Sequence, residues 1–430
     1  MTDDEVTDDE AGRVSRRSLL TGAGMAAGAA TGFAVSEWGA PAHPARPRPD
    51  RIAFHGPVQA GVTTAAQRNA AVVAFDVTAA DRTELTDLMR TLTARARTLC
   101  AGGDPVVRDI AGPPVDSGVL GPSPQPDRLT VTVGVGASLF DGRYGLAALR
   151  PRGLLPMRTF PNDSLDPARC HGDLSLQICA ESPDTVAYAL RELARQTRGG
   201  MQIRWRSDGF LSPPRPAGTP RNLMGFKDGT ANPDIADGAL MDRVVWVDRN
   251  AGLPGQPWTA GGTFQVVRRI RMLVEFWDRV SVLEQENMVG RRRDTGAPLD
   301  GSTEHDIPHY ALDPVGTSIP LTSHIRRANP RTPATDASLL LRRPYNYDAG
   351  VDGAGNLDMG LLFISYQRDL AAQFEAVQTR LINEPLVDYI VPNGGGYFFV
   401  LPGVRDAGSY WGQHMLDQPP AASTAHNGGY

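Results

Sequence analysis

An apolar strand, a polar pair and an amphipathic helix follow one another at residues 173–197, and the same succession returns at 360–383. In the first copy, DLSLQICA (173–180) alternates as a half-buried strand does. PDTVAYALRELARQT (183–197) then carries an Asp near its start and apolar side chains at helical intervals. In the second, GLLFISYQ (360–367) leads into DLAAQFEAVQTRLIN (369–383). Residue identity between the two is low, so the repeat is one of pattern. The economical fold class is α+β: a duplicated ferredoxin-like fold, two antiparallel β-sheets with flanking helices and a cleft between the halves.

The flanking segments extend the plan. AAVVAFDVTA (70–79), LTVTVGVGASLF (129–140) and MQIRW (201–205) read as strands, and RTELTDLMRTLTARARTL (82–99) as a helix. In the second half GTFQVVRRIRMLV (262–274), LLLRR (339–343) and GYFFVLPG (396–403) read as strands, with a helix over 275–290 ended by Gly290. Residues 291–338 show little regular pattern, yet SHIRRANPR (323–331) is not low-complexity. A stretch that long is usually functional or disordered, and order is expected here. The expected divisions are 52–220, 221–415 and a flexible tail, 416–430.

A chain of 430 residues suits about two domains. Its net charge of −5 argues against a general nucleic-acid binder, which needs a basic face. Three cysteines, Cys100, Cys170 and Cys179, are too few for a disulfide framework and read as buried filler.

The first 14 residues are polar and acidic, followed by SRRSLLTGAGMAAGAATGFAV. Paired arginines, a short Gly/Ala-rich run and small residues near Ala40-Pro41-Ala42 suit a cleavable signal better than a stable membrane span. Arg16-Arg17 makes the segment resemble a twin-arginine signal, which exports proteins already folded. A Pro-rich linker runs from Pro41 to about Arg51, so residues 1–51 are expected to lie outside the mature domains. The implied destination is the periplasm, cell envelope or extracellular space, with the twin-arginine machinery as a partner.

Among eight histidines, His43, His414 and His426 sit in linker or tail, and His305 and His309 occupy an acidic, Pro-broken loop. His55 and His171 stand near the mature start and before a strand. His324 differs in preceding Arg326-Arg327 and lying ahead of Arg342, although spacing alone does not make it a ligand.

GFKDGTANP (225–233) matches the GxxDG signature of dye-decolorising peroxidases, with Gly225, Asp228 and Gly229 in register. SHIRRANPR (323–331) resembles that family's proximal-haem segment and LLRRPYNY (340–347) its distal-arginine segment. FHGPVQAGV (54–62), HGDLSLQICA (171–180), EQENMVGRRRDTGAPL (284–299) and GGGYFFVLPG (394–403) extend the likeness along nearly the whole mature chain, in order. The closest likeness is to the twin-arginine-exported branch described as deferrochelatase/peroxidase.

The resemblance implies haem b held in the C-terminal half, with His324 as the iron ligand and Asp228 and Arg342 on the opposite face. Gly229, Thr230, Ala231, Asn329, Pro330 and Arg331 are implied haem contacts. Asp388 stands where the family places a carboxylate behind the imidazole, though a solvated acid at a helix end fits it equally. The residues suit these roles. An ionised carboxylate can move the peroxide proton from one oxygen to the other, and flanking glycines allow close backbone approach. A plain Asp-Gly turn is the bland alternative. Leu223, Met224 and Phe226 are expected to form a dry rim. Arg342 offers donors to developing negative charge, while Arg343 faces away if the segment is a strand. Arg331 suits a haem propionate or else solvent. The role of Asn346 is open, because Pro344 occupies the place of a distal asparagine.

The implied activity is oxidation of bulky organic donors by hydrogen peroxide, with Tyr345 or Tyr347 as candidate electron relays. Carboxylic acids of this type titrate near ~3.9, so an aspartate base predicts activity favouring acid pH. The alternative is a deferrochelatase that releases iron and leaves the porphyrin intact. A haem carrier would not need Asp228 and Arg342 together. No nucleic acid and no stable membrane span are expected, and self-association into a homo-oligomer is compatible with the sequence.

Overall fold

Asp81 begins the first helix by accepting hydrogen bonds from the Thr83 and Glu84 amides at 2.8 and 2.9 Å. Glu84 reaches back to the Ala80 amide at 2.8 Å, so three amides around the helix start are satisfied, a local device worth about 1 kcal/mol. This computed structural model describes residues 51–103, 111–112 and 114–419; the expected signal and most of the tail lie outside them.

Nine strands form one antiparallel sheet: β1 (Asn69–Val77), β2 (Thr130–Gly136), β3 (Leu174–Ala180), β4 (Met201–Phe210), β5 (Thr263–Met272), β6 (Leu341–Arg342), β7 (Tyr345–Val351), β8 (Leu357–Gln367) and β9 (Ile390–Val400). The helices are α1 (Arg82–Cys100), α2 (Pro183–Gln196), α3 (Gly238–Val244), α4 (Val274–Trp277), α5 (Val282–Val289), α6 (His324–Ala328), α7 (Ala376–Leu381) and α8 (Gln413–Leu416). The strand order is β5-β9-β2-β3-β1-β4-β7-β8-β6, and a β5–β8 pairing closes the ring. The fold is thus α+β, as the pattern implies. The two expected sheets are hydrogen-bonded into one through β2–β9 and β4–β7.

Closure explains why β3 is buried along its whole length rather than on alternate residues. On one face Leu174, Leu176 and Ile178 join Leu85, Leu92 and Leu193 of α1 and α2 in the main core. Gln177 and Cys179 turn the other way, Cys179 packing with Val72, Tyr345 and Phe398. Gln177 is satisfied there by the Tyr366 hydroxyl at 2.5 Å and Gln265 at 3.2 Å.

The helix expected over 275–290 is two. Gln285 Nε2 takes the Trp277 and Val280 carbonyls, and Ser281 caps a fresh start by accepting from the Glu284 amide at 3.2 Å. Gly290 ends α5 at φ 90, as expected. The helix expected over 369–383 begins as a π-helical turn, Leu370–Glu375, before α7. Strand β7 was not expected, since Asn, Asp and Gly are poor strand formers. It runs beside β6 on the same edge of β8, with Pro344 dividing them. Residues 291–338 are ordered loop and short turns, with α6 among them.

Candidate functional site

The loop carrying Asp228 is folded by its own side chains. Asn222 Oδ1 accepts from the Met224 and Phe226 amides at 3.1 and 3.2 Å, and Gly225 turns the chain at φ 88. Met224 and Phe226 are pegs rather than a rim: both are buried against Trp277, whose indole N–H donates to the Met224 carbonyl at 3.0 Å. Gly229, at φ 118, then lets the chain leave past Asp228 in a conformation that disfavours a side chain.

Asn232 joins this loop to β6. Its amide donates to the Arg342 carbonyl at 2.7 Å and its oxygen accepts the Arg342 N–H at 3.0 Å, imitating a strand pairing. The result brings the Arg342 guanidinium onto the Asp228 carboxylate at 2.6 Å, while Asn222 approaches the other oxygen at 3.4 Å. Arg343 points to the opposite side, where its guanidinium meets the Thr64 carbonyl and Gln67. Asn346 is committed elsewhere, donating to Ser212 and the Arg221 carbonyl at 3.1 and 3.0 Å.

His324 is the first residue of α6, after Ser323 at the cap position. Its Nδ1 meets Glu384 Oε2 at 2.7 Å, and no hydrogen bond from the described residues engages Nε2. Burial alone lowers the imidazole pKa, but the charge and hydrogen bond of Glu384 outweigh it and leave the ring above its ordinary value. Arg342 and Asp228 lie near enough for their charges to act on the same ring. The carboxylate behind the imidazole is therefore Glu384, 3% exposed, and not Asp388, which lies exposed in the next turn. Asp388 stands four residues further on, and residue type alone does not separate it from Glu384. Arg380 holds α6 by donating to the Arg327 and Ala328 carbonyls at 3.0 and 2.9 Å.

Beside this cluster lies a cavity of about 230 Å³, walled by Thr230, Ala231, Asn232, Asn329 and Arg331 among others. Gly229 and Pro330 are chain neighbours of these walls and do not themselves line it. Burial lowers the Arg291 pKa; Tyr310 opposes it, and the nearby charges of Arg331 and Arg342 add smaller pushes in the same direction as burial. A cavity with such an excess of guanidinium suits a ligand carrying anionic groups. A neutral imidazole nitrogen suits iron, its other nitrogen fixed by a carboxylate. These residues fit a haem with its propionates.

Sequence reading gave no role to Asn232 or His305. His305 and Ile307, exposed residues of the acidic loop, stand at the mouth of the cavity. Cys100, Cys170 and Cys179 are buried and unpaired. Among the described residues no helix is long and apolar enough to cross a membrane.

Comparison with known proteins places the chain in a family. Residues 59–211 match the N-terminal Dyp-type peroxidase family model and residues 219–405 the C-terminal one. The chain is 49% identical over 421 residues to a deferrochelatase of Yersinia pestis bv. Antiqua, covering 95% of this chain and 96% of that one. It is 51% identical over 374 residues to a deferrochelatase of Escherichia coli K12, covering 86% and 88%. Among solved structures, ferric DtpA from Streptomyces lividans superposes with a TM-score of 0.77 at 36% identity, covering 86% of this chain and 98% of that one. A DyP-type peroxidase from Cellulomonas bogoriensis gives 0.75 at 38%, covering 86% and 99%. The chain belongs to the Dyp-type peroxidase family, enzymes that depend on haem.

Proposed function

We propose that this enzyme uses hydrogen peroxide to oxidise bulky organic donors, with His324 as the iron ligand and Asp228 as the proton carrier. The observation that carries the reading is the meeting of Asp228 and Arg342 within electrostatic reach of His324. Haem bound there supplies the iron and the electrons for cleaving the O–O bond. Asp228 takes the proton from the inner peroxide oxygen and returns it to the departing one. Arg342 orients that carboxylate and offers N–H donors to the oxygen on which negative charge grows. Glu384 fixes the His324 ring through Nδ1, so that Nε2 would be the nitrogen left to hold the iron. Arg331 receives a propionate. Loading the purified protein with hemin and following the Soret band tests the ligand: His324→Ala should lose it, and an unchanged band would overturn the assignment.

A second reading is favoured by the deferrochelatase relatives: the same pocket takes haem as substrate and releases iron with the porphyrin intact. Metal-free porphyrin fluorescence on incubation with haem under reducing, acidic conditions reads this directly, and its absence would remove the proposal.

We also infer export by the twin-arginine route, supported by Arg16-Arg17 and the Gly/Ala-rich run after them. Replacing both by lysine should keep the protein in the cytoplasm on cell fractionation. The division into two units near residue 220 is likewise our reading, supported by where the two family models meet.

A further inference from the structure

Lys227, the residue before Asp228, points away from Arg342 and into the protein. It forms an ion pair with Glu304 in which the side chains are only 6% and 9% exposed. The ammonium also donates to the Ala217 carbonyl at 2.8 Å. Glu304 is shared more widely. Its second oxygen accepts from the Thr219 amide and the Thr230 hydroxyl, each at 3.1 Å. Its backbone carbonyl accepts from Arg291 Nη1 at 2.8 Å. One buried carboxylate thus ties positions 219, 227 and 230, on both sides of Asp228, to the loop that carries His305 to the cavity mouth.

That loop is itself pinned, because the Asp306 carboxylate accepts from the Ser302 and Thr303 amides at 2.7 and 2.9 Å. Space around the pair is tight as well. A Cβ added at Gly218 would stand 2.2 Å from Glu304 Oε2, and one at Gly296 would stand 2.7 Å from Lys227 Cδ. A buried ion pair is weak evidence for stability, since apolar residues of similar volume often do as well. Here its geometry has a direct use. Asp228 is held at its tip by Arg342 and Asn222, but its backbone position is set by the residues that Glu304 gathers.

We propose that the Lys227–Glu304 pair is a positioning device that sets the Asp228 carboxylate in its working place beside Arg342. The inference rests on the reading of Asp228 as proton carrier. Burial pushes the Glu304 carboxyl up, yet hydrogen bonds from Lys227, Thr219 and Thr230 overcome this and bring it down to about 2. The charged groups facing it are Lys227 and Arg291. With Lys227 in place the clamp stays ionised under acid working conditions. Without the ammonium, burial gains weight, the carboxyl takes up its proton at higher pH, and the hold on the loop loosens in acid.

The test compares haem-loaded wild type, Lys227→Met, Lys227→Arg and Asp228→Asn in stopped flow with hydrogen peroxide across the acid range. Lys227→Met should react about 10–100-fold more slowly, as expected for a displaced proton carrier. Its acid limb should move to higher pH, and Lys227→Arg should restore much of the rate. In cofactor-free protein, amide hydrogen exchange across 219–232 should quicken in acid for Lys227→Met and not for wild type. Should Lys227→Met not hold haem, Glu304→Gln takes its place: a slowed reaction without a shifted acid limb supports the proposal, and a wild-type rate overturns it. If Asp228→Asn is as fast as wild type, the proton-carrier reading has failed. If Asp228→Asn is slow while Lys227→Met keeps the wild-type rate, pH profile and exchange, the positioning role is wrong.

Discussion

Arg342 donates to Asp228 at 2.6 Å across 114 residues of chain, and both side chains keep some contact with solvent. The pair fixes where the carboxylate sits without sealing it from solvent. Asp228→Asn preserves shape and the acceptor for Arg342 but cannot take up a proton. Its haem-loaded form should keep the ferric spectrum and react with peroxide roughly 10²–10⁴-fold more slowly in stopped flow.

Glu384 and Asp388 make a matched control four residues apart. Glu384→Gln removes the negative charge behind His324, and loss of such a carboxylate costs about 10–100-fold in metal affinity or activity. Asp388→Asn, on an exposed acid, should leave hemin titration and peroxide rate at wild-type values. The reverse ranking would mean that the imidazole takes its support from elsewhere.

Gly290 links the end of α5 to α6. Its φ of 90 disfavours any side chain, and an added Cβ would stand 2.7 Å from Ile325 Cγ1, next to His324. Gly290→Ala should cost about 1–2 kcal/mol in denaturant unfolding for the backbone alone. It should also weaken hemin binding, because the contact it forces lies one residue from the ligand.

Acid stability follows from Glu304. Its folded pKa of about 2 lies below the ordinary 4.5, so the unfolded chain binds the proton more readily. The stabilisation is therefore full above about pH 4.5 and is lost as pH falls towards 2. Urea unfolding of the cofactor-free protein should show wild type losing stability across that window, with a shallower slope for Glu304→Gln. Equal slopes would mean that the carboxyl is not held in its charged form.

Arg268 and Asp163 form an ion pair with side chains 1% and 0% exposed. Two of the guanidinium nitrogens, Nε and Nη1, have no hydrogen-bond partner among the described residues. Asp163→Ala strands a buried cation, and breaking such a pair costs roughly 3–5 kcal/mol. A loss below ~1 kcal/mol by urea unfolding would show that water reaches the guanidinium.

Where one face of an element was apolar, its kind was legible in the sequence. β1, α1, α2, β5 and β8 lie close to their expected places because periodicity follows burial on one side. β7 was hidden, since YNYDAGV is strand only by pairing with β8. At the site, His324, Asp228 and Arg342 stood out because each lies in a segment that resembles a family motif, and the fold does bring them near one another. Glu384 was not: a buried acid and an exposed one look alike in EPLVD, and only α7 packing against α6 decides between them. Lys227 and Glu304 were equally silent, since a pairing across 77 residues leaves no local trace.

β9, the last strand in chain order among the described residues, is hydrogen-bonded between β2 and β5. Until residues 390–400 emerge, the barrel is an open ring with two unsatisfied edges. Synthesis and barrel completion are thereby kept in sequence. A chain without β9 would present two strand edges open to pairing with other chains, and β9 covers both.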